Sequence, residues 1–529
     1  MTFDGQGHNF GRLLKFRPTV GSWREWAMPM EMLRGSGEEL RGALLSMGVE
    51  IESSVRSRNL LGAYLQDKPP EARVQCATQV GWCGDSFVLP DTVIGPGAAG
   101  VIFQSGEYGR DEYTVGGTLC GWRSEIAAPA VGNQLLVLAL AAAFTGPLLA
   151  KCGTEGGGLH FVGDSSSGKT TAIEAACSVW GGSTYRRSWR TTANGLEGAA
   201  VLFNDALLAL DELSECDPHD VGAIVYSLGN GVGKQRASRT GAARAVARWR
   251  CFVLSSGESS IPTVMAEAGR LAKAGQSIRL LDILAKREHG VWDTLHGQTS
   301  GAALSDSIKQ AAATHHGHAG RAYLEKLTRD GRDFCAHLEQ IKTSPAFTIP
   351  DGEGQERRTA SRFALIALAG ELATEYGLTG WPVGTAIEAA AAVFSAWSTN
   401  RGRGNAEHQK ILDQVSAFLE RHGDSRFSNM RFTGECSIWD RAGWWRESDD
   451  GTRDYLFTAD ALREATYGFD LIRVLDALQE AGAIDVPGVR GERAKAIRIG
   501  GRVMKLYRVD AGKLSSPDSS YTPLGQDRV

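Results

Sequence analysis

Short apolar runs ending in glycine or charge alternate with helical patterns through the middle of the chain. Leu159–Val162, Arg187–Arg190, Leu207–Leu210, Arg250–Ser255 and Ser277–Ile283 predict strands, with helical stretches such as Thr171–Val179 between them. Strands alternating with helices predict an α/β fold, a parallel sheet covered on both faces. Ahead of it, Arg73–Cys76, Ser86–Leu89, Gly100–Gln104 and Tyr113–Val115 are short β-type runs split by Gly and Pro. They predict a mixed, β-rich N-terminal domain over residues 1–120, before an α/β core at 121–290. Residues 291–400 read as almost wholly helical, with alanine-rich Ser361–Tyr376 and Val383–Trp397. A linker-like break at Arg401–Gly404 leads to helical Glu407–His422, Thr458–Thr466 and Asp470–Ala481. Strand-like Ala496–Ile499 and Val503–Val509 follow. Three helices and then a basic hairpin is the order of a winged helix, expected over 401–512. The Ser-, Pro- and Asp-rich end, 513–529, is expected to be disordered.

Composition narrows the class. A chain of 529 residues exceeds one core and suggests about three or four domains. Its hydrophobic fraction of 42% and charged fraction of 22% are ordinary for a globular protein. The net charge of −4 gives no chain-wide sign of nucleic-acid binding, so such a role must rest on local patches. The cysteines are scattered singly, with no C-x-x-C pair and no histidines at zinc spacing. Neither a disulfide frame nor a zinc site is indicated, and a cytoplasmic location is expected. The apolar run Leu135–Ala150 is short for a bilayer, holds Gly146-Pro147 and leads towards a glycine-rich turn. It reads as a buried helix, and no membrane partner is expected.

That turn, Gly163-Asp164-Ser165-Ser166-Ser167-Gly168-Lys169-Thr170, carries the strongest chemistry. It fits G-x-x-x-x-G-K-T between a strand and a helix. Its glycines let backbone N–H groups curl around phosphates, and Lys169 can reach the β and γ phosphates. The Thr170 hydroxyl can ligate Mg²⁺, and Thr171 continues the binding segment into the helix. The second element is Leu207–Leu210, an apolar strand ending in Asp211-Glu212. Asp211 can hold hydrated Mg²⁺ opposite Thr170, and Glu212 can polarise an attacking water. The alternative is that both acids cap the following helix. ATP and Mg²⁺ are the expected ligands.

Between Asp220 and Glu258 there is no acidic residue, while Lys234, Arg236, Arg239, Arg244, Arg248 and Arg250 all fall there. A glycine-punctuated start, Gly229–Arg236, suits a protruding turn that tracks a DNA backbone; the competing reading is a surface hairpin meeting acidic neighbours. The strand Arg250–Ser255 ends in hydroxyls, and Ser255 or Ser256 can orient the attacking water, simple strand termination being the alternative. Arg279 on the next strand can reach a neighbouring subunit's γ phosphate as a finger. Arg270 is a second candidate, and an ion pair from Arg279 to Asp282 is the structural competitor. His315-His316 reads as a polar surface pair, and Trp444-Trp445 as packing rather than a base-stacking platform.

With these residues in view, the chain resembles the helicase-like proteins grouped as domain of unknown function 927. The likeness rests on Gly81-Trp82, Phe87–Pro90, Gly116–Thr118, Trp122-Arg123 and the turn at Gly163–Thr170. It continues through Leu210–Glu212, Gly233–Arg236, Ser255–Glu258 and Gly275-Gln276 with Arg279. It spans roughly residues 5 to 300. The resemblance implies an AAA+ core related to superfamily-three and MCM-like replicative helicases, ring-forming and self-loading, with a C-terminal winged helix. It implies an ATPase centre of Lys169, Thr170, Asp211 and Glu212, with Ser256 as sensor, Lys234 as hairpin tip and Arg279 as finger. A primase or zinc-binding region, if a full replication protein includes one, is expected on another polypeptide or to have been removed.

The function expected is therefore an ATP-driven DNA translocase or helicase, probing DNA with Lys234, Arg236 and Arg239 in the ring and Arg498 and Arg502 in the wing. A homo-oligomer, in the form of a hexamer, is the expected assembly. The alternatives are an ATP-regulated scaffold or defence protein that unwinds nothing, and a transcriptional regulator acting through the wing.

Overall fold

The computed structural model describes residues 2–3, 10–67, 71–104, 112–235, 246–270, 274–349, 354–401, 406–430, 438–447, 452–467, 469, 471–484, 493–499 and 502–514. The chain divides into two compact units, Met1–Trp397 and Ser398–Val529.

The first unit opens with β1 (Thr2–Phe3), β2 (Gly11–Phe16), β3 (Arg24–Pro29), α1 (Glu38–Ser46), α2 (Val55–Gln66) and β4 (Val74–Ala77). Next come β5 (Gly81–Cys83), β6 (Ser86–Val88), β7 (Val93–Ile94) and β8 (Val101–Phe103). One five-stranded sheet has the order β3-β2-β1-β4-β8, and β5-β6-β7 form a small antiparallel sheet. A local core of Trp26, Met28, Leu40, Leu44, Met47 and Leu65 lies with the first sheet and its helices. The run Tyr113–Val115 is not a strand. Its Tyr113 ring is buried edge-on against Tyr185, with the hydroxyl on the Leu202 carbonyl, so aromatic packing accounts for the apolar pattern there.

A short helix, α3 (Leu119–Trp122), and the long α4 (Gln134–Lys151) lead to the central sheet. That sheet comprises β9 (Gly157–Val162), β10 (Arg187–Ser188), β11 (Ala206–Asp211), β12 (Cys251–Gly257) and β13 (Leu280–Leu284), in the order β10-β11-β12-β9-β13. Every pairing in it is parallel. The strands are nearly continuous in apolar residues because helices cover both faces. The intervening helices are α5 (Lys169–Cys177), α6 (Ala193–Leu202), α7 (Pro218–Asn230), α8 (Ile261–Glu267) and α9 (Ala274–Ser277). Ser277 ends the turn of α9, so the last strand starts later than its apolar pattern suggests.

Helix α4 is long and apolar enough to cross a membrane by length and composition, but 83% of it is buried. It packs on β11 and β12 and on a helix near the end of the unit, and it runs through Pro147 without breaking. The helices beyond the sheet are α10 (Gly301–Thr314), α11 (His318–Leu327), α12 (Phe334–Lys342), α13 (Gly354–Glu375) and α14 (Thr385–Arg401). One hydrophobic core runs from Val80 to Phe394 and joins these helices to the sheet. His315 and His316 are not a surface pair: they pack under the segment after Tyr113. The His315 ring accepts from the Thr118 amide at 3.1 Å and lies 3.4 Å from Glu125, and Gly116 and His316 form a backbone bridge.

The second unit holds α15 (Ala406–His422), β14 (Phe427–Asn429), β15 (Gly443–Glu447), β16 (Arg453–Phe457), α16 (Ala459–Ala465), α17 (Leu471–Glu480), β17 (Lys495–Ile499) and β18 (Arg502–Asp510). Its sheet order is β14-β15-β16-β18-β17. Strands β14 to β16 carry no clear alternation and escape the sequence pattern. Trp444 on β15 is buried with Leu456 and Leu506, and the Trp445 ring is covered by Arg453 at 4.3 Å. The linker-like residues 402–404 and the end of the chain from 515 lie outside the described residues.

Candidate functional site

The carboxyl ends of β9, β11 and β12 converge, because parallel strands in one sheet bring their following loops to one edge. From β9 the chain enters the glycine turn. Gly168 has φ 99°, a conformation that strains any residue with a Cβ, and an added Cβ there would lie 2.9 Å from Val291. Ser166 also sits in the left-handed region, at φ 58°. The turn is thus held in a curled shape before α5 begins at Lys169.

The Lys169 side chain is largely buried and folds back over the turn. Its ammonium donates to the carbonyls of Gly163 at 2.8 Å and Asp164 at 2.6 Å, and to Ser167 Oγ at 3.4 Å. Among the described residues it forms no ion pair with a carboxylate. A buried cation solvated only by neutral oxygens attracts a polyanion, and the curled turn fits phosphate groups. Thr171 is buried one residue into the helix beyond Thr170.

Asp211, at the end of β11, gathers the rest. Thr170 Oγ1 donates to Asp211 Oδ1 at 3.2 Å, and the Ser256 hydroxyl donates to the same oxygen. The Glu212 amide donates to Ser256 Oγ at 3.3 Å. Glu212 has φ 61°, an uncommon backbone for a residue with a side chain, and its carboxylate accepts from Ser214 Oγ at 2.6 Å. It makes no side-chain cap to the short helix that follows, so the capping reading fails for Glu212. One hydroxyl and one carboxylate side by side suit Mg²⁺, which keeps most of its positions for water and phosphate. Among the described residues no cluster of three His, Cys, Asp or Glu forms a self-sufficient metal cage.

Alternation along β12 separates its two serines. Ser256 faces Asp211, whereas Ser255 accepts from Trp189 Nε1 at 2.8 Å and bonds His160 Nδ1 at 2.9 Å. His160 is fully buried on β9, and its Nε2 meets the Ser259 carbonyl at 3.1 Å. Burial pushes its imidazole down to about 4, with the Lys169 charge adding to the effect. Sequence reasoning missed His160, Trp189 and also Arg186, which pairs with Asp211 and lies 3.4 Å from Glu174. No spacing rule marks these residues, since each meets its partner across the sheet.

A cavity of about 420 Å³ opens beside Ser166 and Ser167, walled by His289, Leu295, Ser300 and Ser305. It continues the space next to the turn.

The basic segment is anchored at its base. Val232 and Arg248 pair antiparallel, Gly233 N donates to the Ala247 carbonyl at 2.9 Å, and Trp249 N to that of Gly231 at 3.0 Å. Lys234 is exposed beside this base, with its amide 3.3 Å from Glu197 Oε1. Arg236, Arg239 and Arg244 lie outside the described residues. Arg250 is not an unpaired cation: its Nε bonds buried Asp205 at 2.8 Å. The Arg279 guanidinium donates to Asn230 Oδ1 and the Gly275 carbonyl, while Asp282 accepts from the Ile261 amide. Arg270 is exposed, with Nη1 on the His219 carbonyl at 2.9 Å. In the second unit Arg498 is exposed on β17, and the Arg502 side chain lies outside the described residues.

Comparisons with known proteins place this architecture. A solved structure of "SCCmec type IV Cch - active helicase" superposes with a TM-score of 0.71 at 20% identity, covering 97% of this chain and 93% of that one. The two share a fold. A structure of the Aeropyrum Pernix ORC2 protein (ADP form), 15% identical over 72% of this chain and 89% of that one, has a TM-score of 0.17, too low to argue from. No curated protein matches the chain. A family model described as "Domain of unknown function (DUF927)" matches residues 1–248. The first 248 residues thus match the DUF927 family model, and the chain shares its fold with the solved helicase structure.

Proposed function

We propose that this chain is an ATP-dependent DNA helicase or translocase that works as a ring of identical subunits, serving the replication of a mobile element. The observation that carries the reading is the hydrogen-bonded chain Thr170–Asp211–Ser256–Glu212 beside the Lys169 ammonium, which bonds neutral oxygens. It supports ATP hydrolysis as follows. The turn from Gly163 to Thr171 cradles the phosphates, and Lys169 leaves its carbonyl partners for the β and γ oxygens. Mg²⁺, when bound, neutralises charge developing on the phosphates. Thr170 and Asp211 are the residues that would hold it. Glu212 accepts the proton of the attacking water, and Ser256, fixed between Asp211 and the Glu212 amide, keeps that carboxylate's backbone in register. The cavity beside Ser166 offers room for the nucleoside.

The basic loop that starts at Gly231 supplies the DNA contact in this reading, with Lys234, Arg236 and Arg239 meeting phosphates of one strand. The second unit is a winged helix in the same reading. Helices α15, α16 and α17 precede the β17–β18 hairpin, and exposed Arg498 with Arg502 would meet duplex DNA. A neighbouring subunit's arginine completes the nucleotide site. The solved structure sharing this fold is described as an active helicase, which favours unwinding over a scaffold role.

Purified protein should hydrolyse ATP, accelerate several-fold with single-stranded DNA, and displace an annealed oligonucleotide. Hydrolysis that ignores DNA, or stimulation without displacement, would overturn the helicase reading. Negative-stain images with an ATP analogue should show closed rings.

A further inference from the structure

The amino end of the central sheet carries an arrangement that the nucleotide chemistry does not use. We infer that Arg279 is a positioning residue, tying the base of the basic loop to the phosphate-loop strand within its own chain. The inference rests on the reading of that loop as the DNA-contacting element.

Arg279 lies one residue before β13. Its carbonyl accepts from the Gly158 amide at 2.8 Å, so its backbone is fixed to the start of β9. Its side chain crosses to α7. Nε and Nη2 donate to Asn230 Oδ1 at 3.0 and 2.7 Å, Nη1 donates to the Gly275 carbonyl at 2.6 Å, and the guanidinium covers the Tyr226 ring at 4.6 Å. The stem lies directly on the helix backbone: a Cβ on Gly229 would come within 2.5 Å of Arg279 Cδ. From the other side, half-buried Arg362 of α13 donates to the Ile278 carbonyl and holds the same corner.

Asn230 is the last residue of α7, and Gly231, capping the helix in the left-handed conformation, begins the basic loop. A continuous path therefore runs from β9, whose other end enters the phosphate turn, through Arg279 to Asn230 and the loop base. A finger aimed at another subunit needs its guanidinium donors outward. Arg279 commits Nε, Nη1 and Nη2 inward, whereas the exposed Arg270 guanidinium donates from Nη1 to the His219 carbonyl. The trans-acting role falls more naturally to Arg270, and the cis-acting tie to Arg279.

The test is amide hydrogen exchange on the full chain, with and without an ATP analogue, in Asn230→Ala, Asn230→Asp and Arg279→Ala. Losing the charge-assisted contact between the two side chains should raise exchange at Gly233 and Trp249, the bonded amides of the loop base, by at least about tenfold in Asn230→Ala and Arg279→Ala. The amides of β11 should be unaffected. Asn230→Asp, which keeps an acceptor for the guanidinium, should restore protection. Combining Asn230→Ala with Arg279→Ala should add nothing further. In ATPase assays Asn230→Ala should lose DNA stimulation while keeping DNA-free turnover and the KM for ATP. Unchanged exchange at the loop base in Asn230→Ala overturns the inference. So does normal DNA stimulation in that variant alongside DNA-free hydrolysis lost in Arg279→Ala and regained on mixing with Lys169→Ala subunits, the behaviour of a finger. A wild-type protein that ignores DNA sinks the function proposed above, and the exchange measurement still decides the tie.

Discussion

The two ends of the central sheet use charge in opposite ways. At the carboxyl end, Lys169 is surrounded by neutral oxygens, and Asp211 gathers two hydroxyls and Arg186 around one carboxylate. At the amino end the charges are closed off structurally. Buried Asp205 pairs with Arg250, accepts from the Trp82 amide at 3.2 Å and touches Asn204, while Arg362 satisfies backbone carbonyls. One end keeps a cation and strained turns available for a ligand; the other spends its charges on holding strands and helices together. Substitutions should therefore separate cleanly, costing turnover at the carboxyl end and stability at the amino end.

The largest expected effect is at Glu212. If it acts as the general base, Glu212→Gln should lower kcat for ATP by about 10²- to 10⁴-fold while ATP-analogue binding and the denaturation midpoint stay near wild type. A loss confined to KM would break the comparison, because it would place Glu212 in binding alone.

His160 lies between the two regimes, cross-paired with Ser255 in the middle of the sheet. Its folded value, pushed down to about 4, lies below the ordinary 6.5, so the fold favours the neutral ring. The stability this provides is complete above about pH 6.5 and is lost as pH falls towards 4. Between pH 7.5 and 4.5, wild type should lose on the order of 2–3 kcal/mol more unfolding free energy than His160→Gln, measured by chemical denaturation. Parallel loss in both proteins would show that the imidazole is not held neutral by burial.

The smallest effect is at Asp205. Arg250 is about half exposed, so solvent moderates the pair, but the carboxylate is buried and multiply bonded. Asp205→Asn should cost about 1–3 kcal/mol, seen as a lower denaturant midpoint with an unchanged slope. DNA-free ATP turnover per folded molecule should stay within about twofold. A selective loss of turnover would erase the distinction between the two ends.

Much of the carboxyl end was legible because its residues sit in contiguous motifs. Gly163–Thr170 and Leu210–Glu212 announce themselves by local spacing, and strand–turn–helix punctuation located each on its element. Ser255 and Ser256 were ambiguous in one dimension; strand alternation in the folded sheet sends them to different neighbours. The segment Tyr113–Val115 misled for a related reason, since an aromatic buried by packing looks like a strand residue when its partners are unknown.

Local order along the chain thus determined the α/β core, the glycine-rich turn, the acidic strand end and the excess of positive charge after α7. Tertiary structure alone decided which charges remain available. Arg250 and Arg279 look like their basic neighbours in sequence, yet one is paired to Asp205 and the other is wrapped onto α7, while among the described residues no carboxylate pairs with the Lys169 ammonium. The reason is physical: a charge's freedom depends on the groups within a few ångströms of it, and those groups come from strands and helices far apart in the chain.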